Sequence, residues 1–183
     1  MRLRLLLISL LLPLTSCIPV DDFGSYWDQT SLDPQLRGKW KRIAASPDQT
    51  REHGYPIGDI SEFVELAGAL ELRPIVGENE PLWPVKTLTT GNHRWLVIGR
   101  KRGFLVEYQF DGGYLDFCPV NDSDMAEFIR KRYPEAPNLE TSSGVGLSVK
   151  ITIFDATAFA LLRDYPGADN CTERTFAKFE KLR

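Results

Sequence analysis

Phe104, Val106, Tyr108 and Phe110 alternate with Leu105, Glu107 and Gln109, and a Gly112-Gly113 pair follows almost at once. Strict alternation over this stretch is strand spacing, so one face of the segment is apolar. If the two glycines form a two-residue turn, the positive backbone angles of a type I′ turn come without steric cost. The register then sets Phe110 opposite Leu115 and Tyr108 opposite Phe117, and both strands offer apolar side chains to the same face. A three-residue turn would set Asp116 opposite Tyr108 and break that face, so the shorter turn is preferred. Cys118 falls opposite Glu107, on the side that carries Gln109 and Asp116 and away from Phe117.

The flanking segments extend this hairpin into a meander. Residues 95–98 are apolar and β-prone, and GRKRG at 99–103 turns the chain into the strand just described. Residues 145–153 alternate throughout and read as the most regular strand. Residues 38–43 (GKWKRI) and 86–88 read as further strands, and 61–72 as one bulged strand, because Gly68 interrupts the competing helical pattern. Met125, Phe128, Ile129 and Tyr133 have helical spacing, with Glu127 three residues after Asp124 as in a reciprocal cap and Pro134 barring continuation. Asp155 can cap a second short helix carrying Ala158, Phe159, Leu161 and Leu162. Residues 46–60, with Tyr55, read as a long irregular loop, and a terminal segment with Phe176 and Phe179 is a candidate last strand of poor alternation. With 43% apolar and 26% charged residues, the composition is that of an ordinary globular domain. The expected fold is α+β and β-rich, an antiparallel meander or partly open small barrel with two short helices, in a single domain over residues 32–183.

Ahead of that domain stands LLLISLLLPLTSC, residues 5–17, preceded by Arg2 and Arg4. A bilayer crossing takes about 20 apolar residues; this shorter run, interrupted by Pro13, fits the central region of an export signal. Leu14-Thr15-Ser16-Cys17 resembles the lipobox of bacterial lipoproteins. The resemblance implies a signal peptide over residues 1–16, a diacylglyceryl group on the Cys17 sulfur, and acylation of the new amine by a palmitate-type chain. Residues 17–31 are then expected to be the lipidated N-terminus and a tether. Two or three acyl chains, at about 0.8 kcal/mol per buried methylene, hold a protein stably where one does not. Aspartate directly after the cysteine resembles an inner-membrane retention signal; Ile18 stands there instead, which implies the outer membrane, facing the periplasm. A plain secreted protein with an incidental Cys17 is the competing reading.

Export would leave Cys118 and Cys171 in an oxidising compartment, where an even pair in a small domain is expected to form a disulfide. They stand fifty-three positions apart, and closing a loop of that length stabilises by about 4 kcal/mol in the chain-entropy picture. Neither cysteine lies in a CxxC, and His53 and His93 lack the local spacing of a zinc site, so no metal or cofactor is expected. Removing residues 1–16 takes two of the 22 basic residues and leaves 20 against 25 acidic ones, a formal balance of −5. That sign works against nucleic acid or an anionic lipid surface as the main partner.

Gly38-Lys39-Trp40 resembles the Gly-x-Trp opening of lipocalins, in which the tryptophan closes one end of a β-barrel; the resemblance implies a barrel and leaves the ligand open. The leading expectation is a non-enzymatic, membrane-anchored envelope protein binding a small apolar or glycan-like ligand, or an envelope protein partner. Of Trp27, Trp40, Trp83 and Trp95, the favoured ligand contact is Trp83, between Pro81 and Pro84, while Trp40 and Trp95 read as core. One alternative is a hydrolase of cell-wall glycan using Glu107 and Asp116, which share a hairpin face. Another is a structural or assembly role in an envelope complex, whose sign would be a large exposed apolar patch. No Gly-x-Ser-x-Gly turn, phosphate loop or repeat is present, and no catalytic residue is assigned.

Overall fold

The computed structural model describes residues 17–45, 57–66, 69–74, 82–118, 120–144, 146–166 and 177–183. The signal segment, Tyr55, Cys171 and Phe176 lie outside these described residues. Strands β2 (Gly38–Ala45), β3 (Ile60–Leu66), β4 (Ala69–Pro74), β5 (Trp83–Thr90), β6 (His93–Ile98), β7 (Lys101–Asp111) and β8 (Tyr114–Cys118) follow one another as an antiparallel meander. Strand β11 (Ala177–Lys181) pairs with both β8 and β2, and pairing of β6 with β7 closes a ring of eight strands. Outside the ring, β1 (Ile18–Asp22) runs antiparallel to β7 and parallel to β10 (Gly146–Ile153), which carries β9 (Leu139–Gly144) on its other side. Helices α1 (Tyr26–Gln29), α2 (Asp122–Arg132) and α3 (Ala156–Asp164) complete the fold. The β-rich α+β barrel expected from the sequence is therefore present, and its ring is closed.

The central hairpin has the expected register. Phe110 pairs with Leu115, Tyr108 with Phe117 and Glu107 with Cys118. Gly112 and Gly113 take φ values of 56° and 92°, the doubly left-handed turn that matches the twist of the strands it joins.

Strand β7 serves two partners along one edge. Its C-terminal half pairs with β8 and its N-terminal half with β1, so the wall divides where β8 ends and β1 begins. Alternation along the strands then feeds two cores. Leu96, Val106, Tyr108 and Leu115 point into the barrel with Trp40, Phe63, Leu70, Val85 and Phe179. Trp95, Val97 and Leu105 point outward and are covered by Ile18, Val20 and Ile151 of the outer strands and by Met125, Ile129, Leu161 and Leu162 of the helices. Strands buried on both faces read as continuous apolar runs, which explains Trp95-Leu96-Val97-Ile98.

One end of the barrel is shut by residues 31–37. Ser31 and Thr87 exchange backbone hydrogen bonds, at 2.9 and 2.8 Å. Tyr108 Oη donates to Asp33 Oδ2 at 2.9 Å, Trp40 Nε1 to the Leu36 carbonyl at 2.6 Å, and Lys181 Nζ to the Gln35 carbonyl at 2.9 Å while standing 5.1 Å over the Trp40 ring. Asp33 also accepts from Gln35 N, capping the single 3₁₀ turn Pro34–Leu36.

Several expectations need correction. The segment read as a tether is folded: Ile18 and Val20 are buried in β1, Phe23 and Trp27 sit in the outer core, and Ser31 is bridged to β5. Its apolar residues, too few for a visible period, find a slot between β7 and β10. Residues 61–72 are divided between the antiparallel pair β3 and β4, with Leu66 opposite Ala69. Strand β9 is not among the expected strands, since Leu139-Glu-Thr-Ser-Ser-Gly has no apolar alternation. The cap of α2 is Asn121, accepting from Ser123 N and Asp124 N, in place of the Asp124/Glu127 box. Asp155 caps α3 as expected, through Thr157 N and Ala158 N.

Candidate ligand-binding site

Opposite the shut end, the antiparallel meander brings together the start of β5, the ends of β4, β6 and β8, and the start of β7. Cross-strand pairing of Leu70 with Val85 and of Leu72 with Trp83 places Trp83 on the inner face, two residues above a buried core position. The same parity puts Ile98, Phe104 and Phe117 on that face. Leu72, Trp83, Ile98, Phe104 and Phe117 are only half-buried, whereas Leu70, Val85, Leu96 and Val106 beneath them are buried. Eight strands enclose an interior that side chains fill; at this end five inner-face apolar side chains stay half-buried, and at the shut end Leu32 and Phe110 do so.

Trp83 differs from the other three indoles. Trp27, Trp40 and Trp95 are 8%, 2% and 0% exposed. Trp95 Nε1 donates to Thr90 Oγ1 at 2.9 Å, and Lys86 Nζ stands 5.1 Å over the Trp27 ring, so both are structural. Beside Trp83, Leu82 is 37% exposed. The tryptophan chosen from the sequence is thus the one at the barrel mouth; the neighbours that accompany it were missed as a group, because only ring closure decides which strand ends meet.

The outer face of the hairpin is not the wet surface that Glu107 and Asp116 suggest. Glu107 is 7% exposed and Asp116 0%. Glu107 Oε1 meets His93 Nδ1 at 2.6 Å, and Asp116 Oδ2 lies 3.5 Å from Lys178 Nζ. Burial raises the Asp116 pKa while the Lys178 charge opposes it. A His–carboxylate pair serves nucleophilic catalysis when a hydroxyl or thiol is within reach. The sulfur paired across from Glu107 is Cys118, which is disulfide-bonded; its expected partner, Cys171, lies outside the described residues. A groove of about 570 Å³ runs along Tyr133, Asn138, Ile153 and Asp155. Neither Glu107 nor Asp116 lines this groove. Asn138 there bonds the Ile153 carbonyl and Asp155 Oδ1, at 3.0 and 2.9 Å, and so fixes the cap of α3.

Cys17, the expected lipid attachment point, ends the described chain just before β1. Its side chain is 6% exposed among barrel-core residues, and burial, with the Asp122 charge adding, pushes its thiol up to about 12. Asp122 opens α2, where a negative charge is normally favoured, yet burial pushes its carboxyl up to about 6. A folded value above the unfolded one of about 3.9 means that this group contributes stability at low pH and loses it as pH rises through about 6. Asp122→Asn is therefore expected to stabilise the protein by about 1 kcal/mol near pH 8, a figure discounted for partial exposure, and to change nothing below about pH 4. Urea unfolding at the two pH values checks the sign.

Among the described residues, no helix is long and apolar enough to cross a membrane, and no group of three or more His, Cys, Asp or Glu could hold a metal ion. Comparison of the chain with protein-family models, with curated proteins and with solved structures finds no match.

Proposed function

We propose that this chain is a membrane-anchored envelope lipoprotein whose barrel binds a small amphiphile at the end marked by Trp83. The observation that carries the binding half is the cluster at this end: five inner-face apolar side chains, two of them phenylalanines and one an indole, are half-buried next to the buried Leu70, Val85, Leu96 and Val106. Such a surface offers contact area to an apolar chain without first opening the core. The anchoring half is supported by residues 5–17 alone. With Ile18 already in β1, acyl groups on Cys17 would leave the barrel wall without a spacer. Turning one small side chain out of that wall costs about 1 kcal/mol and leaves the paired strand in place. Intact mass of envelope-derived protein is expected to show residues 1–16 removed and lipid added; an unmodified Met1 would end the anchoring reading.

Three of the four tryptophans are buried, so a ligand at the mouth should report through Trp83. Titration with dodecanol below its aggregation limit is expected to shift and enhance the emission of the wild-type protein. Trp83→Phe should abolish that change, and Trp83→Ala should weaken binding, measured calorimetrically, about tenfold, the effect of losing roughly 1.4 kcal/mol of aromatic contact. Emission that responds to dodecanol identically with and without Trp83 would place the ligand elsewhere.

A further inference from the structure

Residues 99–103, GRKRG, join β6 to β7 at the mouth, and Gly99 sets the start of this three-cation turn beside the Trp83 ring. Gly99 N donates to the Pro84 carbonyl at 2.8 Å, and a Cβ at Gly99 would lie 3.7 Å from the Trp83 indole. The turn therefore rests on the residue that marks the candidate site. Arg100, Lys101 and Arg102 are all exposed, and no ion pair among the described residues engages them. Of the carboxylates nearest by register, Asp22, opposite Lys101, accepts from Gly24 N at 2.8 Å, and Asp21 pairs with Lys150 at 2.7 Å.

Two further features mark this turn. Arg102 has φ 51°, the one non-glycine residue with positive φ among the described residues, in a region that side chains other than Asn and Asp rarely visit. The mature chain carries a formal balance of −5, so three consecutive cations reverse its prevailing sign at one place. Locally concentrated charge next to a low-dielectric wall attracts a counter-charge more strongly than the same residues dispersed over a surface.

We propose that the ligand of the barrel mouth is an anionic amphiphile, its head group held by Arg100, Lys101 and Arg102 and its alkyl chain laid against Trp83, Ile98 and Phe104. This rests on the reading of the mouth as a ligand site and adds the chemistry of the head group. An overall acidic chain repels polyanions, while a small inorganic anion would leave the apolar wall unused; a single charge on an apolar chain satisfies both halves.

The test is a titration followed through Trp83, using dodecanoate, dodecanol and acetate at mildly alkaline pH, on the wild-type protein and on the triple variant Arg100→Gln, Lys101→Gln, Arg102→Gln. Wild type is expected to bind dodecanoate about tenfold more tightly than dodecanol, a preference that shrinks as salt is raised. In the triple variant dodecanol binding should be unchanged and dodecanoate should fall to the same level. Equal binding of the two by wild type, or a preference that survives in the variant, overturns the head-group assignment and leaves the ligand site standing. A Trp83 response to acetate equal to that for dodecanoate overturns it as well, in favour of simple anion binding. If neither amphiphile perturbs Trp83, the ligand site itself fails. Circular dichroism of the variant, matched to wild type, excludes loss of fold as the cause.

Discussion

Trp40→Ala is expected to lower the unfolding free energy by about 3–5 kcal/mol, the range for removing a large aromatic from a core that cannot collapse. For a domain of this size that is a fall in Tm of about 10 °C. The position of Trp40 matters more than its size. Trp40 stands at the shut end with 2% exposure, packs at a tilt on Phe110 with ring centroids 5.9 Å apart and donates to the Leu36 carbonyl, and it carries Lys181 above its ring. Removing the indole empties the floor of the barrel and orphans a carbonyl of the 3₁₀ turn at the same time. Trp40→Phe keeps most of the apolar contact and loses the hydrogen bond, so it should cost only about 1–2 kcal/mol. Trp83→Ala, at the half-buried end, should cost less than Trp40→Ala while affecting ligand binding more. Chemical denaturation of the three variants checks the order; a Trp40→Ala cost no greater than that of Trp83→Ala would mean the closing turn does not hold the barrel.

This asymmetry between the two ends shows what could be read in the chain. The register of the central hairpin was legible because Gly112-Gly113 restricts the turn and alternation restricts the faces, both local properties. The two longer helices were legible from their packing residues, although Asn121 took the cap. Strand β11 was harder, since Ala177-Lys-Phe-Glu-Lys is short and shifts register between Lys178 and Phe179, and its role in closing the ring depends on β2 and β8, both distant in sequence. Strand β1 carried a misleading signal, a proline at position 19 beside two aspartates, and is fixed only by the slot between β7 and β10. The site divides in the same way. Trp83 stood out by its flanking prolines, but Leu72, Ile98, Phe104 and Phe117 join it through pairing and closure, which no local pattern specifies.

The turn that carries the proposed head-group site also makes the sharpest steric prediction. Gly103 is buried between β6 and β1, and a Cβ built on it would fall well inside contact distance of the carbonyl oxygens of Ile98 and Gly99. These obstacles are backbone, so no side-chain rotation relieves them; the turn must open or β1 must leave its pairing of Val20 with Gly103. Either movement loosens the division of the wall on which both cores depend. Gly103→Ala is therefore expected to cost about 3 kcal/mol or more, at the upper end for overpacking. Gly112→Ala provides the comparison: nothing lies within 4 Å of its added Cβ, and only φ of 56° opposes it, which costs about 1 kcal/mol. Hydrogen exchange should show amides of β1 and of the start of β7 losing protection in Gly103→Ala, while Gly112→Ala leaves them unchanged. Equal and small costs for the two substitutions would mean that the turn at 99–103 yields easily, and three cations on a yielding turn would not be held against Trp83.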